Sequence, residues 1–233
     1  MIAVYPAGSR YSYDHGWLRG SFSFSFGPYY DPDNTAFGPL RVFNDDTIAA
    51  GRGFGAHPHS DMEIVSVVLR GSLKHEDSLG NVAVTSFGEI QRMSAGSGII
   101  HTEGNPSDTE EVTLLQLWFS PERRGIAPGY EVSKYDPEQM VNRLLPVVAP
   151  NPAPGIAAIH QDLTIYLSKL ESGHSLVFTQ PEGRKIFVFV IEGAVQAGAR
   201  ERLHTRDSAR ITDTRSLELA ALDDTFFMLI DLP

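Results

Sequence analysis

Short apolar runs rich in Val, Ile, Phe and Thr recur along the whole chain, separated by Gly, Pro, Asn and Asp. Such runs mark strands, and stretches that sustain a helical period of 3.6 are scarce. The pattern predicts strands at Glu63 to Leu69, Val82 to Ser86, Val112 to Phe119, Leu163 to Leu167, Lys185 to Ile191 and Phe226 to Ile230. The best helical segment is short and lies near Pro137 to Arg143. A mostly β chain of 233 residues forms one large domain or two small ones.

Two features favour two domains. The stretch LPVVAPNPAPG, Leu145 to Gly155, holds four prolines in eleven residues, which removes backbone donors and favours extended linker conformations. In addition, EIVSVVLRGSL (Glu63 to Leu73) aligns without gaps on KIFVFVIEGAV (Lys185 to Val195), so that the turn glycines Gly71 and Gly193 correspond. The expected organisation is a domain over 1–135, a short helix and Pro-rich linker over 136–155, and a second domain over 156–233.

Composition narrows the chemistry. Apolar residues make up 42% and charged residues 21%, as in ordinary globular proteins. With 19 basic against 29 acidic residues the formal charge is -10, which repels phosphate backbones and anionic lipid, so direct nucleic-acid binding is not expected. There is no cysteine, so any metal must sit on nitrogen and oxygen. The start MIAVYPAGSR lacks an apolar signal-peptide core, and no stretch reaches the roughly 18 to 20 continuous apolar residues of a membrane helix. A cytoplasmic monomer is expected.

Side chains two apart on a strand share a face, so His57 and His59 project together, as do His101 and Glu103. Three neutral imidazoles and a carboxylate suit a divalent transition metal. Gly51, Gly53 and Gly55 precede the first pair, and Gly88, Gly96 and Gly98 the second, which permits turns and bulges that aim such pairs inward. Pro58 confines the first pair to an edge, a strand start or a bulge.

The blocks GRGFGAHPHSDMEIVSVVLRG and GEIQRMSAGSGIIHTEGN resemble the two blocks of the cupin superfamily. More narrowly, HPHSDMEIVSVVLRGSLKHEDSLGN followed by MSAGSGIIHTEGN is similar to pirin, in particular to its short bacterial members with quercetin 2,3-dioxygenase activity. The resemblance continues through HGWLRGSFSFSFGPYYDPDNTAFGPLRVFNDD and LLQLWFSPE and covers the first 135 residues most strongly.

That resemblance implies an all-β bicupin, two jelly-roll β-barrel domains with few short helices. His57, His59, His101 and Glu103 are then the ligands of one divalent metal, commonly Fe(II); Ni, Co, Mn, Cu and Zn suit the same donors. Glu63 follows His-x-His, where many cupins place a ligand, but the pirin pattern gives that duty to Glu103 and leaves Glu63 a supporting role. His75, beside Glu76 and Asp77, could support the site, though its neighbours read as a strand end. Carried back, the gapless alignment sets Thr179 opposite His57 and Pro181 opposite His59, so the second barrel lacks the first ligand pair. His160, His174 and His204 stand alone there.

The implied activity is flavonol ring opening with dioxygen, Glu103 taking the proton of the substrate 3-hydroxyl. In Leu114 to Trp118, one face carries Leu114, Gln116 and Trp118 and the other Leu115 and Leu117. Phe54, Met93, Gln116 and Trp118 are candidate walls for a flat phenolic ring. The alternative implied by the same family is an iron-dependent regulator that binds a transcription factor or enzyme partner, with flavonol oxidation a side activity.

Overall fold

The computed structural model describes residues 1–233, and all regular structure apart from two single-turn 3₁₀ helices is strand. The all-β expectation holds. No helix is long and apolar enough to cross a membrane. Each predicted strand is present: Glu63–Arg70, Val82–Ser86, Val112–Phe119, Thr164–Leu170, Lys185–Glu192 and Thr225–Leu232. The predicted helix shrinks to the 3₁₀ turn Pro137–Met140, where Asp136 caps the Glu138 N–H and Val141 returns to extended backbone.

The chain divides into two compact units, 11–135 with 150–161, and 1–10 with 136–149 and 162–233. These boundaries differ from the expected 1–135, 136–155 and 156–233. The first ten residues belong with the C-terminal unit because Ile2–Tyr5 pairs with Ser208–Ile211. The proline-rich stretch is not a free linker. Leu145–Ala149 is a strand against Thr164–Leu170, with a bulge after Pro146 that accommodates the missing donor. Pro150 to Gln161 packs on the first unit, where Ala157 and Ile159 are buried and the Ala158 N–H donates to Glu131.

Each unit pairs a long sheet with a four-stranded one. In the first, the long sheet runs Gly129–Lys134, Glu89–Ser94, Glu63–Arg70, Val112–Phe119, Leu40–Ile48, Leu18–Phe22, Tyr11–Asp14, and the short sheet Gly53–His59, Ile99–Gly104, Ser72–Asp77, Val82–Ser86. The C-terminal unit repeats this order with Ile2–Tyr5, Ser208–Ile211, Lys185–Glu192, Thr225–Leu232, Thr164–Leu170, Leu145–Ala149, and a short sheet of Ser175–Thr179, Ser216–Ala221, Ala194–Ala197, Glu201–His204. Lys185–Glu192 therefore occupies the place of Glu63–Arg70, as the internal alignment indicates.

Register corrects that alignment upstream. His57 pairs with His101, and Glu103 with His75. The corresponding pairs in the C-terminal unit are Phe178 with Leu217, and Leu219 with Ala197. Phe178, one residue before Thr179, thus holds the place of His57, because the turn before Lys185 is one residue longer. Phe178, Ala197, Leu217 and Leu219 all belong to that unit's apolar core.

A bulge between Gly53–His59 and Ile99–Gly104 positions the histidines. His101 faces His57 and Glu103 faces Phe54, so two residues, Gly55 and Ala56, oppose Thr102 alone. The extra residue turns Phe54 to the same face as His57, against simple alternation. Close approach beside the bulge depends on Gly53, where a Cβ would lie 2.4 Å from the Glu103 carbonyl oxygen and from Gly104 Cα. Gly53→Ala is expected to separate these strands and to destabilise the protein by about 1–3 kcal/mol, read as a lower midpoint in denaturant unfolding. An unchanged midpoint would show that the strands part without cost.

Candidate metal centre

The inward face of the short sheet brings His57, His59 and His101 together, with one ring nitrogen from each within 4.8 Å of the others. His57 Nδ1 bonds the Gly55 carbonyl at 2.8 Å, which leaves Nε2 for the cluster. The Nε2 atoms of His59 and His101 are buried without hydrogen-bond partners. Buried imidazole nitrogens are rarely left unpaired, and the two of them converging with a nitrogen of His57 form a donor set that suits a divalent ion. Burial, and then the neighbouring His57, lower the His59 pKa to about 4. Burial and the adjacent histidines bring His101 to about 3. Both imidazoles are therefore neutral at physiological pH, the form that ligates.

Glu103 forms a second group with His101 and His75, again within 4.8 Å, so His101 is common to both. Burial pushes the Glu103 carboxyl up from its ordinary pKa, against the lowering pull of His75, Gln91, Gln116 and His57. Gln91 Nε2 donates to Oε1 at 2.6 Å, and Gln116 Nε2 to Oε2 at 2.7 Å. These amides are themselves oriented: Tyr130 donates to Gln91 Oε1 at 3.0 Å, and Ser66 to Gln116 Oε1 at 2.6 Å. Every member of this chain has a partner, which a buried polar network requires.

His75 is the supporting residue that sequence reasoning passed over as a strand end. It is fully buried within Ser72–Asp77 and stacks on Tyr130 with ring centroids 4.0 Å apart. Its Nε2 lies 2.9 Å from Asp77 Oδ2, and its Nδ1 lies 3.3 Å from His101 Nδ1. Burial raises the Asp77 carboxyl, but bonds from His75, Asn81 and Leu79 hold it below its ordinary pKa. With Asp77 as carboxylate, His75 donates through Nε2 and accepts at Nδ1 from His101 Nδ1–H. His101 is thereby fixed in the tautomer that offers Nε2 to the cluster.

His57, His59, His101 and Glu103 line a cavity of about 530 Å³ within the first unit. Phe54, Gln116 and Trp118 are among its lining residues. Met93 is not: it is 1% exposed and packs with Ile64, Ala95 and Ile99 in a separate apolar cluster. Glu63 is not part of the cluster of His57, His59 and His101; its Oε2 accepts from Ser94 Oγ and the His160 N–H. More of the wall comes from near the N-terminus, with Tyr13 and Phe22 on strands, Trp17 in the turn between Tyr11–Asp14 and Leu18–Phe22, and Asn44 and Asp46 on Leu40–Ile48. The available signal was Asn44 and Asp46 on the face of Leu40–Ile48 that is otherwise apolar, with Leu40, Val42 and Ile48.

Fold and site together define an all-β bicupin whose first unit carries a histidine cluster, with a buried glutamate, suited to a divalent metal. Residues 6–119 match the pirin family model, and 146–232 match the quercetinase C-terminal cupin domain. The chain is 40% identical over its full length to quercetin 2,3-dioxygenase of Escherichia coli (strain K12), of which it spans 99%. It is 36% identical to a pirin-like protein of Caulobacter vibrioides, with 94% of each chain covered. Among solved structures, the bacterial pirin YhhW from Escherichia coli in complex with nickel(II) matches with a TM-score of 0.94 at 40% identity, covering 100% of this chain and 99% of that one. The chain belongs to the pirin family.

Two outcomes test the centre. Asp77→Asn should lower affinity for nickel(II) by roughly 10- to 100-fold in calorimetric titration, while His57→Ala should abolish stoichiometric binding; unchanged affinity in Asp77→Asn would remove the orienting role. Because burial favours protonated Glu103 in the metal-free protein, metal uptake should release a proton whose number falls as pH rises. Titration in buffers of different ionisation enthalpy measures it, and Glu103→Gln should remove it.

Proposed function

We propose that this chain is a metal-dependent dioxygenase that opens the heterocyclic ring of a flavonol such as quercetin. The observation that carries the reading is the convergence of three imidazoles and Glu103 on a cavity walled by Trp17, Phe22, Phe54 and Trp118. The name of the Escherichia coli relative and the nickel(II) complex of a solved pirin support it. His57, His59, His101 and Glu103 hold the ion, for which Fe(II) is proposed; nickel, cobalt, manganese, copper and zinc suit the same donors.

When bound, the metal supplies Lewis acidity and open positions for oxygen ligands. The chain's own residues do the remainder. The aromatic walls hold a flat ring and exclude water, which strengthens electrostatic interactions inside. Glu103, as carboxylate, accepts the proton of the 3-hydroxyl, and the amides of Gln91 and Gln116 keep its oxygens in place. In the overall reaction dioxygen enters, the heterocycle opens and carbon monoxide leaves.

Metal content by mass spectrometry, with oxygen consumption on quercetin after loading iron, nickel, cobalt or copper in turn, tests the proposal. Stoichiometric metal and quercetin-dependent uptake are expected, and His101→Ala should lower uptake by at least roughly 100-fold. Unchanged uptake in that variant would sink the metal's role. Bound metal with no uptake would replace the dioxygenase by a metal-dependent binding protein.

A further inference from the structure

Nothing in the chemistry above uses Asn44 and Asp46, two polar groups on the long-sheet wall of the cavity. Asn44 and Asp46 share the inward face of Leu40–Ile48 with Val42 and Ile48, and both are buried. Placing two polar side chains at such positions is costly unless each finds a partner. Asp46 Oδ1 accepts from the Tyr13 hydroxyl at 2.7 Å. Gly20 leaves room for this contact, since a Cβ there would lie 2.4 Å from Asp46 Oδ1 and 3.0 Å from the Tyr13 oxygen. Asn44 Oδ1, by contrast, has no hydrogen-bond partner although the residue is only 3% exposed and lines the cavity.

Position links this pair to the metal end. Asn44 is the cross-strand partner of Gln116, whose amide holds Glu103. Asn44 therefore sits one strand further along the same wall, roughly 4.8 Å in the hydrogen-bonding direction, and Asp46 lies two residues beyond it on that face. No Lys or Arg is among the lining residues, and Trp17, Phe22, Phe26 and Trp118 are. An unpaired carbonyl oxygen beside a carboxylate, between aromatic walls and with no Lys or Arg to balance it, asks for hydrogen-bond donors on a neutral flat ring. This end of the cavity repels carboxylates and phosphates.

We infer that Asn44 and Asp46 form a hydroxyl-recognition subsite that selects flavonols bearing further ring hydroxyls over those with the 3-hydroxyl alone. The inference rests on the dioxygenase reading for which end of the ligand meets the histidines. A buried acceptor left unpaired by a poorer ligand penalises that ligand, so the subsite discriminates by exclusion as well as attraction.

The test is binding rather than turnover. The full chain, loaded with redox-inert zinc, is titrated with quercetin and with 3-hydroxyflavone, and the two affinities are compared. Wild type should favour quercetin by roughly tenfold or more. Asn44→Leu should bring the ratio to near one by weakening quercetin, and Asp46→Asn, which keeps shape and the Tyr13 bond, should reduce it several-fold. Equal binding of the two compounds by wild type would overturn the subsite, as would an unaltered ratio in both variants. Oxygen uptake by the iron-loaded protein is scored separately. Discrimination without uptake keeps the subsite and removes the dioxygenase, whereas uptake without discrimination does the reverse.

Discussion

A carboxyl group buried at 4% exposure is the constraint around which the first unit is built. Left unpaired, such a group costs several kcal/mol or takes up a proton. Here Gln91 and Gln116 bracket Glu103 from neighbouring strands, and Tyr130 and Ser66 bracket those amides in turn. The long sheet consequently gives up apolar side chains at the positions of Gln91, Ser66 and Gln116, which lie side by side on three adjacent strands.

The C-terminal unit shows the same frame without the constraint. Its sheets repeat the strand order, yet the places of His57, His101, Glu103 and His75 are taken by Phe178, Leu217, Leu219 and Ala197. With nothing polar to satisfy, these residues close into a continuous apolar core with Val188, Val190 and Leu229. One scaffold thus supports two outcomes, and the choice lies in a few inward-facing positions of the short sheet. Fold alone says little about activity; the residues on that face decide it.

Much of this was legible in the sequence, for reasons that also set the limits. Strands such as Val82–Ser86 and Val112–Phe119 could be bounded to the residue because turn residues punctuate them. The His-x-His and His-x-Glu pairs were visible because a period of two is local. Relations needing an inserted residue were not. The bulge that turns Phe54 inward contradicts plain alternation, and the longer turn before Lys185 moved the equivalent of His57 from Thr179 to Phe178. Met93 failed as a wall residue because parity gives the face of a strand but not which part of that face meets the cavity. The proline-rich stretch misled for a related reason: proline forbids a ladder donor, yet a strand with a bulge tolerates it, as Leu145–Ala149 does beside Pro146.

The order of partners around His101 bears on why His75 and Asp77 are buried at all. A lone imidazole on a strand can rotate and can present either nitrogen, so its lone pair is not aimed. Packing His75 flat on Tyr130 and tying it to Asp77 removes that freedom one step behind the cluster. Asp77 in turn accepts from the backbone N–H groups of Leu79 and Asn81, so the turn that follows the strand fixes the carboxylate. Orientation of the innermost imidazole is therefore set by backbone geometry at the edge of the sheet, carried inward through two side chains. The HEDSLGN turn, which reads from sequence as a simple strand end, is in this way a structural element of the metal centre.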